Sequence, residues 1–142
     1  MRKLLFVAVA ISGLMLVSCN KNQAAVKKLD GAWTVNKAAT TEDGVTYDFV
    51  ASGDATMSLT FTECKLKADE WCSMTSTVTW GNLTDTETDV FRVTGDGMTF
   101  EQKDDSGSST TETSTITELT KTSFTMTSTD GDATTVIEAT KN

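Results

Sequence analysis

Histidine and proline are both missing from this chain of 142 residues. Without histidine there is no His-based catalytic triad, no imidazole metal ligand and no pH switch centred near neutrality. The charged residues also favour one sign, because 20 acidic side chains and 12 basic ones give a formal net charge of −8 at pH 7. That balance argues against a nucleic-acid partner, since phosphate recognition depends on clustered lysine and arginine.

The remaining side chains do not indicate catalytic chemistry. A cysteine nucleophile needs an activating neighbour, and the sequence offers none. Carboxylates such as Glu112 and Glu118 fall at turns or on polar strand faces, without a spacing that fixes two of them as an acid/base pair. The acidic turns at residues 104–107 and 130–132 lack the ligand alternation of a calcium loop. We therefore predict no enzyme, no metal site and no cofactor.

The N-terminus has the pattern of a secretory signal. Arg2 and Lys3 precede an apolar run that ends at Val17, shorter than the roughly 20 residues of a membrane-spanning helix. The sequence Leu-Val-Ser-Cys that ends at Cys19 resembles the lipobox of bacterial lipoproteins. In those proteins the cysteine receives diacylglycerol and, after cleavage, an acyl chain such as palmitate. The resemblance implies that residues 1–18 are a lipoprotein signal peptide and that Cys19 is lipidated. The polar and basic composition of the residues that follow indicates a tether, so that residues 19–30 are the lipidated cysteine and a tether, with a short helical turn at residues 24–29 as an option.

The lipid anchor predicts a membrane as the first partner of this chain. Two or more acyl chains attach a protein stably, so the rest of the chain can be water-soluble and remain at the membrane. An ordinary signal peptide with an unrelated cysteine nearby is the alternative. Surface-exported lipoproteins of Bacteroidetes tend to carry acidic residues soon after the cysteine, and residues 20–24 contain none. This favours the outer membrane with the domain on the periplasmic side.

Composition and turn spacing predict an all-β domain over residues 31–142. Threonine, a β-branched residue that favours strands, is abundant, and Asp-Gly pairs suit tight turns because glycine accepts positive φ. The pattern predicts strands at residues 31–37, 56–62, 72–80, 86–93, 98–103, 110–117, around 124–126 and 134–140, with 45–50 as a lid or an extra strand. A disordered threonine-rich stalk is the competing interpretation, but the regularly spaced aromatic, methionine and valine residues argue against it.

Eight strands joined by short hairpins predict an antiparallel up-and-down barrel, which has no free sheet edges. The side chains expected to line its interior are Trp33, Met57, Leu59, Phe61, Met74, Trp80, Phe91, Met98, Phe100, Phe124 and Met126. Two functions stay open. The interior binds a small apolar or amphipathic ligand, or side chains fill it and the barrel serves as an interaction module of the cell envelope.

Three short segments resemble lipocalins and the lipocalin-like domains of bacterial lipoproteins, especially those of Bacteroidetes. They are residues 29–35, which contain Gly-Ala-Trp, residues 91–100 and residues 116–124. The resemblance implies a lipocalin-like barrel in which Trp33 plugs the closed end and an apolar ligand enters at the other end. Many lipocalins also pack an arginine from the last strands on this tryptophan. The last two predicted strands contain no arginine.

Cys64 and Cys72 are expected to form a disulfide. A lipoprotein lies outside the cytoplasm, where disulfides persist, and the two cysteines flank a predicted hairpin. If they lay directly opposite each other, Phe61 would oppose Thr75 and the apolar faces would not match. A bulge near residues 62–63 would correct this by shifting one strand by one residue. Without the bulge, the thiols lie on separate faces and stay free.

Overall fold

The described part of the chain contains nine β-strands, and every pairing between them is antiparallel. The computed structural model describes residues 21–62, 64, 70–106 and 110–142, so the predicted signal peptide and Cys19 lie outside the described residues. The strands are β1 Gly31–Glu42, β2 Val45–Asp48, β3 Ala55–Phe61, β4 Cys72–Trp80, β5 Leu83–Thr94, β6 Thr99–Asp104, β7 Glu112–Leu119, β8 Ser123–Asp130 and β9 Ala133–Lys141. Within the described ranges, no helix has the length and apolar character needed to cross a membrane.

The sheet closes because β1 pairs with β9 as well as with β3. Eight strands, β1 and β3 to β9, form a closed up-and-down barrel, which confirms the predicted fold class. β2 is an extra strand, because β1 is long enough to pair with β3 over its first half and with β2 over its second half. The hairpin between β1 and β2 turns at Asp43 and Gly44, whose φ angles are 51° and 77°.

Strand residues alternate between the barrel interior and a threonine-rich outer surface. On β4, Met74 is buried inside, whereas Thr75 and Thr77 face outward and pair with Thr88 and Thr86 of β5. The hydroxyl groups of Thr77 and Thr86 lie 3.2 Å apart, within hydrogen-bond distance. Threonine therefore supplies both the strand preference and the polar outer face.

Aromatic rings fill the half of the barrel nearest the start of β1 and the end of β9, which we call the closed end. The ring centroid of Phe61 lies 5.1 Å from that of Phe91 and 6.1 Å from those of Phe100 and Phe124. Trp33 meets Phe124 edge-on at 6.0 Å. Edge-on contacts of this kind are favourable beyond the area they bury. The interior at this end is thus a packed core.

Residues 21–29 form a helix that covers the closed end. Ala25, Val26 and Leu29 are buried and belong to the same hydrophobic cluster as the barrel aromatics. Because they recur at one-turn spacing, they present one apolar face to the barrel. The helical turn expected at residues 24–29 is therefore present and begins three residues earlier, at Lys21. Burial of that face decides the structure of the segment, although its polar and basic composition suggested a linker.

Polar contacts fix the start of this helix to the turn between β5 and β6. The side-chain oxygen of Asn22 accepts a hydrogen bond from the backbone N–H of Gly97 at 2.7 Å, and the ammonium of Lys21 lies 3.5 Å from the carboxylate of Asp96. Gly97 has a φ of 84°, and a Cβ there would lie 3.1 Å from the carbonyl oxygen of Lys21. Only glycine suits both the turn and this close approach.

Cys64 and Cys72 lie at disulfide distance, as predicted, with Cα atoms 5.6 Å apart. The pairing of β3 with β4 places Phe61 opposite Met74, so the buried faces of the two strands match. This register differs by one residue from the register that direct opposition of the two cysteines requires. The shift falls between Phe61 and Cys64, where the sequence predicts a bulge, and Glu63 itself lies outside the described residues.

Leu29→Ala should distinguish a packed helix from a tether. We expect it to lower the free energy of unfolding by about 2–5 kcal/mol, because it leaves a cavity beneath the helix. Lys27→Ala, on the exposed side of the same helix, is the matched control and should change it by less than about 0.5 kcal/mol. Denaturant unfolding of the mature chain measures both variants. Equal, small effects would contradict the packing described here.

Removing the disulfide should weaken the fold without abolishing it. Closing this short loop contributes about 2–3 kcal/mol on the chain-entropy model, so Cys64→Ser should lower the free energy of unfolding by that amount. Reductant should destabilise the unsubstituted protein similarly and leave Cys64→Ser unchanged. Intact mass spectrometry after thiol alkylation provides the direct check. Two alkylated thiols at Cys64 and Cys72 without reductant would show that the pairing does not form.

Candidate ligand site at the open end of the barrel

Most side chains predicted to line the interior are buried in it. Those with less than a tenth of their surface exposed are Trp33, Leu59, Phe61, Met74, Phe91, Phe100, Phe124 and Met126. Met57 is partly buried against the same cluster. Trp80 lies at the rim and is 45% exposed, and Met98 is 55% exposed at the closed end, outside the interior. The prediction for Met98 is wrong because the chain still turns there, and β6 begins only at Thr99.

Packing loosens from the closed end toward the opposite end, where β4 ends and β5 begins, which we call the open end. The large buried rings give way to small inward residues, such as Ser114 of β7, which pairs with Ser128 of β8. Both serines are only partly buried. Small side chains leave space that aromatic rings would fill, so room for a ligand is expected at the open end.

A pocket of about 210 Å³ lies at the open end, under the loop that follows β2. Met57 and Val78, which pair across β3 and β4, form its apolar wall. Phe49 and Trp80 form its rim, with ring centroids 5.2 Å apart. Met57 and Trp80 are thus the residues of the predicted lining that reach this pocket. The exposed part of the Trp80 ring is free to contact a molecule that enters.

Asp85 and Glu87 of β5 add negative charge to the same pocket. They pair with Val78 and Ser76 of β4, so they take inward positions, and the threonines around them face outward. Neither carboxylate has a hydrogen-bond or ion-pair partner in the part of the chain that the structure describes. Strands usually place charge on the outside. Here the threonine hydroxyl groups lie on the outer face, whereas the two carboxylates take inward-facing positions at the mouth and remain exposed.

A second pocket, of about 430 Å³ and polar, shares Glu87 with the first. Asp89, Asp104 and Glu112 line it. Asp89 lies directly opposite Asp104 in the pairing of β5 with β6, and like charges in that arrangement are destabilising. The side-chain amide of Gln102 donates a hydrogen bond to Asp89 at 2.7 Å and offsets part of this cost. Lys103 lines the same pocket, with its ammonium 4.4 Å from the ring centroid of Trp71, so the β5–β7 side has four carboxylates and one ammonium.

The carboxylate of Asp48 holds the loop that carries Phe49 over the pocket. One of its oxygens accepts hydrogen bonds from the backbone N–H groups of Ala51 at 2.9 Å, Val50 at 3.1 Å and Ala38 at 3.2 Å. These bonds, with that from Ala51 foremost, hold the pKa of Asp48 below its ordinary value. The rim of the pocket is thus shaped by an ionised side chain at the end of β2.

Lys141 of β9 supplies, at the closed end, a cation that sequence reasoning missed. Its ammonium lies 5.3 Å from the ring centroid of Trp33 and donates a hydrogen bond to the carbonyl of Lys28 at 3.1 Å. The indole N–H of Trp33 donates to the carbonyl of Leu29 at 2.6 Å. Lys141 and Leu29 thus both contact the Trp33 ring at the closed end. The position of Lys141 two residues after the buried Ala139 was the available signal, because strand residues two apart share a face.

The solved structures to which this chain is similar include two designed barrels. One is a redesigned β-barrel, mFAP1, bound to DFHBI, with 18% sequence identity over 83% of this chain and 98% of that chain and a TM-score of 0.46. The other is a redesigned β-barrel with 13% identity over 83% of this chain and 94% of that chain and a TM-score of 0.48. No protein-family model matches the sequence, and no curated protein matches it significantly. The fold assignment rests on the strand pairing described above.

Asp48→Ala should loosen the rim of the pocket and change how the free energy of unfolding depends on pH at acidic values. Because the folded pKa of Asp48 is lowered, its stabilising contribution is present above the unfolded value of about 3.9 and is lost as the pH falls through the folded value. Unfolding measured at neutral pH and at acidic pH should therefore show that Asp48→Ala loses less stability on acidification than the unsubstituted protein. Asp132→Ala, in the exposed turn before β9, is the control. It should lose as much stability between neutral and acidic pH as the unsubstituted protein does. Parallel losses in all three proteins would contradict the role of Asp48.

Proposed function

We propose that this protein is a lipid-anchored binding protein that holds a small amphipathic molecule at the open end of its barrel without performing catalysis. Cys19 would carry the lipid, and the domain would lie on the periplasmic side of the outer membrane. The observation that supports binding is one pocket that combines the partly buried Phe49 and the exposed Trp80 with the carboxylates Asp85 and Glu87, which lack a partner in the described structure.

The apolar part of the ligand would lie against Met57, Val78 and Trp80. Burial of apolar area contributes about 25 cal/mol per Å², so covering the exposed part of an indole ring gives a useful gain in affinity. The pocket of about 210 Å³ suits a short chain or a single ring. A longer ligand would extend from it into the polar pocket beyond Glu87.

The polar part of the ligand would carry a positive charge. Asp85 and Glu87 face the pocket without a partner, and Asp89 lies two residues further along the same inward face. Carboxylates of one sign in a partly enclosed mouth raise the local concentration of cations and lower that of anions. The same aromatic rim favours a cation, because the face of an indole ring attracts positive charge.

A protein partner at the rim is the second candidate. Val45, Tyr47 and Leu83 lie on the two hairpins at the open end and are 72%, 55% and 76% exposed. Exposed apolar side chains grouped at one end of a domain are typical of a contact surface. In that case the packed barrel would be an interaction module of the cell envelope, and the mouth would be covered by a protein instead of holding a small molecule.

A probe series with one C10 chain and three head groups tests the binding proposal. Decyltrimethylammonium, decyl maltoside and decanoate would be titrated below their micelle concentrations, with tryptophan fluorescence as the readout. We expect the cation to bind more tightly than the neutral probe by about tenfold, which corresponds to about 1.4 kcal/mol of charge interaction, and the anion to bind most weakly. Trp80→Ala should weaken all three probes.

A charge-matched pair of double variants separates the local effect from net charge. Asp85→Asn with Glu87→Gln should remove the preference for the cation and leave the neutral probe unaffected. Asp30→Asn with Glu118→Gln removes two charges near the closed end and should retain the preference. If no probe binds, or if the anion binds as well as the cation, the proposed ligand site is wrong. The rim would then be the better candidate for function.

A further inference from the structure

The two ends of the barrel differ in covering and in charge, and this difference bears on how the protein sits at a membrane. We propose that the closed end, with its helix, faces the phospholipid surface and that the open end points away from it into the aqueous compartment. This proposal rests on the lipid anchor proposed at Cys19. It goes beyond binding, because it names the surface of the barrel that contacts the bilayer.

The helix fixes the point at which the chain leaves the barrel. Its first described residue, Lys21, lies on the turn at Gly97 and contacts Asp96, both at the closed end. Cys19 precedes Lys21 by two residues, and a fully extended chain spans about 3.3–3.6 Å per residue, so the lipid attaches within about 7 Å of this turn. The open end lies at the far ends of the strands. A strand residue advances about 3.3 Å, so the mouth is tens of ångströms from the anchor.

The described part of the connection, the helix over residues 21–29, packs against the barrel. Leu29 is fully buried and Val26 is 2% exposed, so the helix cannot swing away without exposing apolar surface. Lys28 donates a hydrogen bond to the carbonyl of Leu119 at 3.3 Å, which ties the helix to the end of β7. The orientation of the barrel therefore follows from the direction in which the helix leaves it.

Charge reinforces that orientation. The described charged residues toward the open end are eleven acids and Lys103; the acids are Glu42, Asp43, Asp48, Asp54, Asp85, Glu87, Asp104, Asp105, Glu112, Asp130 and Asp132. The closed end has five described lysines, Lys21, Lys27, Lys28, Lys121 and Lys141. Its described acids are four: Asp30, Glu70, Asp96 and Glu118. An anionic bilayer repels the open end and tolerates the closed end, where lysines near the surface are attracted by about 1 kcal/mol each.

Two native side chains report the orientation without any label. Met98 lies at the closed end and is 55% exposed, and Trp80 lies at the open end and is 45% exposed. Both react readily with hydroxyl radicals in solution. The bilayer should shield Met98 in the anchored protein and leave Trp80 accessible.

The experiment uses full-length protein that is lipidated in a bacterial host and reconstituted into vesicles of phosphatidylethanolamine and phosphatidylglycerol. Hydroxyl-radical oxidation is followed by peptide mass spectrometry, and Cys19→Ala in solution gives the unshielded rates. We expect a several-fold slower oxidation of Met98 on vesicles and an unchanged rate at Trp80. Insertion of a flexible Gly/Ser segment between Asn20 and Lys21 should restore the oxidation of Met98, because it uncouples the helix from the anchor.

Each remaining outcome overturns a stated part of the account. If Cys19 carries no lipid mass, both the anchor and the orientation are wrong. If Cys19 is lipidated but Trp80 is shielded, or if Met98 and Trp80 are oxidised as fast as in solution, the orientation alone is wrong. Lys27→Gln with Lys121→Gln, at exposed positions of the closed end, should reduce the shielding of Met98 on these vesicles. No reduction would show that the helix orients the barrel without help from charge.

Discussion

The pairing of β1 with β9 is the constraint on which the interior depends. It joins Trp33 to Lys141 and Val35 to Ala139 and so closes the sheet without a free edge. Once the sheet is closed, every strand residue faces either inside or outside, and the inside must be filled or opened to water. The chain fills one half with aromatic rings and a helix. It leaves the other half open, with Trp80 at the rim.

A bulge in β1 allows this closure to continue along the whole strand. The register with β9 shifts between Val35 and Lys37, so that Ala38 takes the inward position opposite Ile137. An extra residue of this kind bends a strand and increases its twist, which a barrel needs at its corners. The small side chain of Ala38 then leaves room next to the mouth. The bulge thus changes which residues of β1 point into the barrel, and it does so where the closed half gives way to the open half.

The inward carboxylates of β5 are the feature that stability does not explain. Asp85 and Glu87 are exposed at the mouth and make no hydrogen bond or ion pair in the described structure, so their charge adds no attractive contact to the fold. Sites where a sequence departs from the pattern of its fold are where function is expected. The proposed cationic ligand would give these carboxylates the partner that the described structure lacks.

Much of the fold could be predicted from sequence, because alternation is clear where strands are half buried. The strands predicted at residues 56–62 and 72–80 agree with β3 and β4 to within a residue. The second half of β1 was missed, since its bulge breaks the alternation after Val35. The sequence pattern does not predict the start of β5. Its inward positions there are acids that alternate with threonine, and a strand with a buried face is normally recognised by alternating apolar residues. For residues 21–29 the sequence predicts only a tether with a short helical turn, because the apolar residues Ala25, Val26 and Leu29 are few and lie among lysines.

Amide chemical-shift mapping by NMR, with decyltrimethylammonium added to the isotope-labelled mature chain, tests the proposed ligand site most directly. We predict shifts concentrated at the mouth, at Phe49, Val78, Trp80, Asp85 and Glu87, with little change near Trp33 and Phe61. Shifts centred on the closed-end aromatics, or spread evenly over the threonine-rich outer surface, would contradict it.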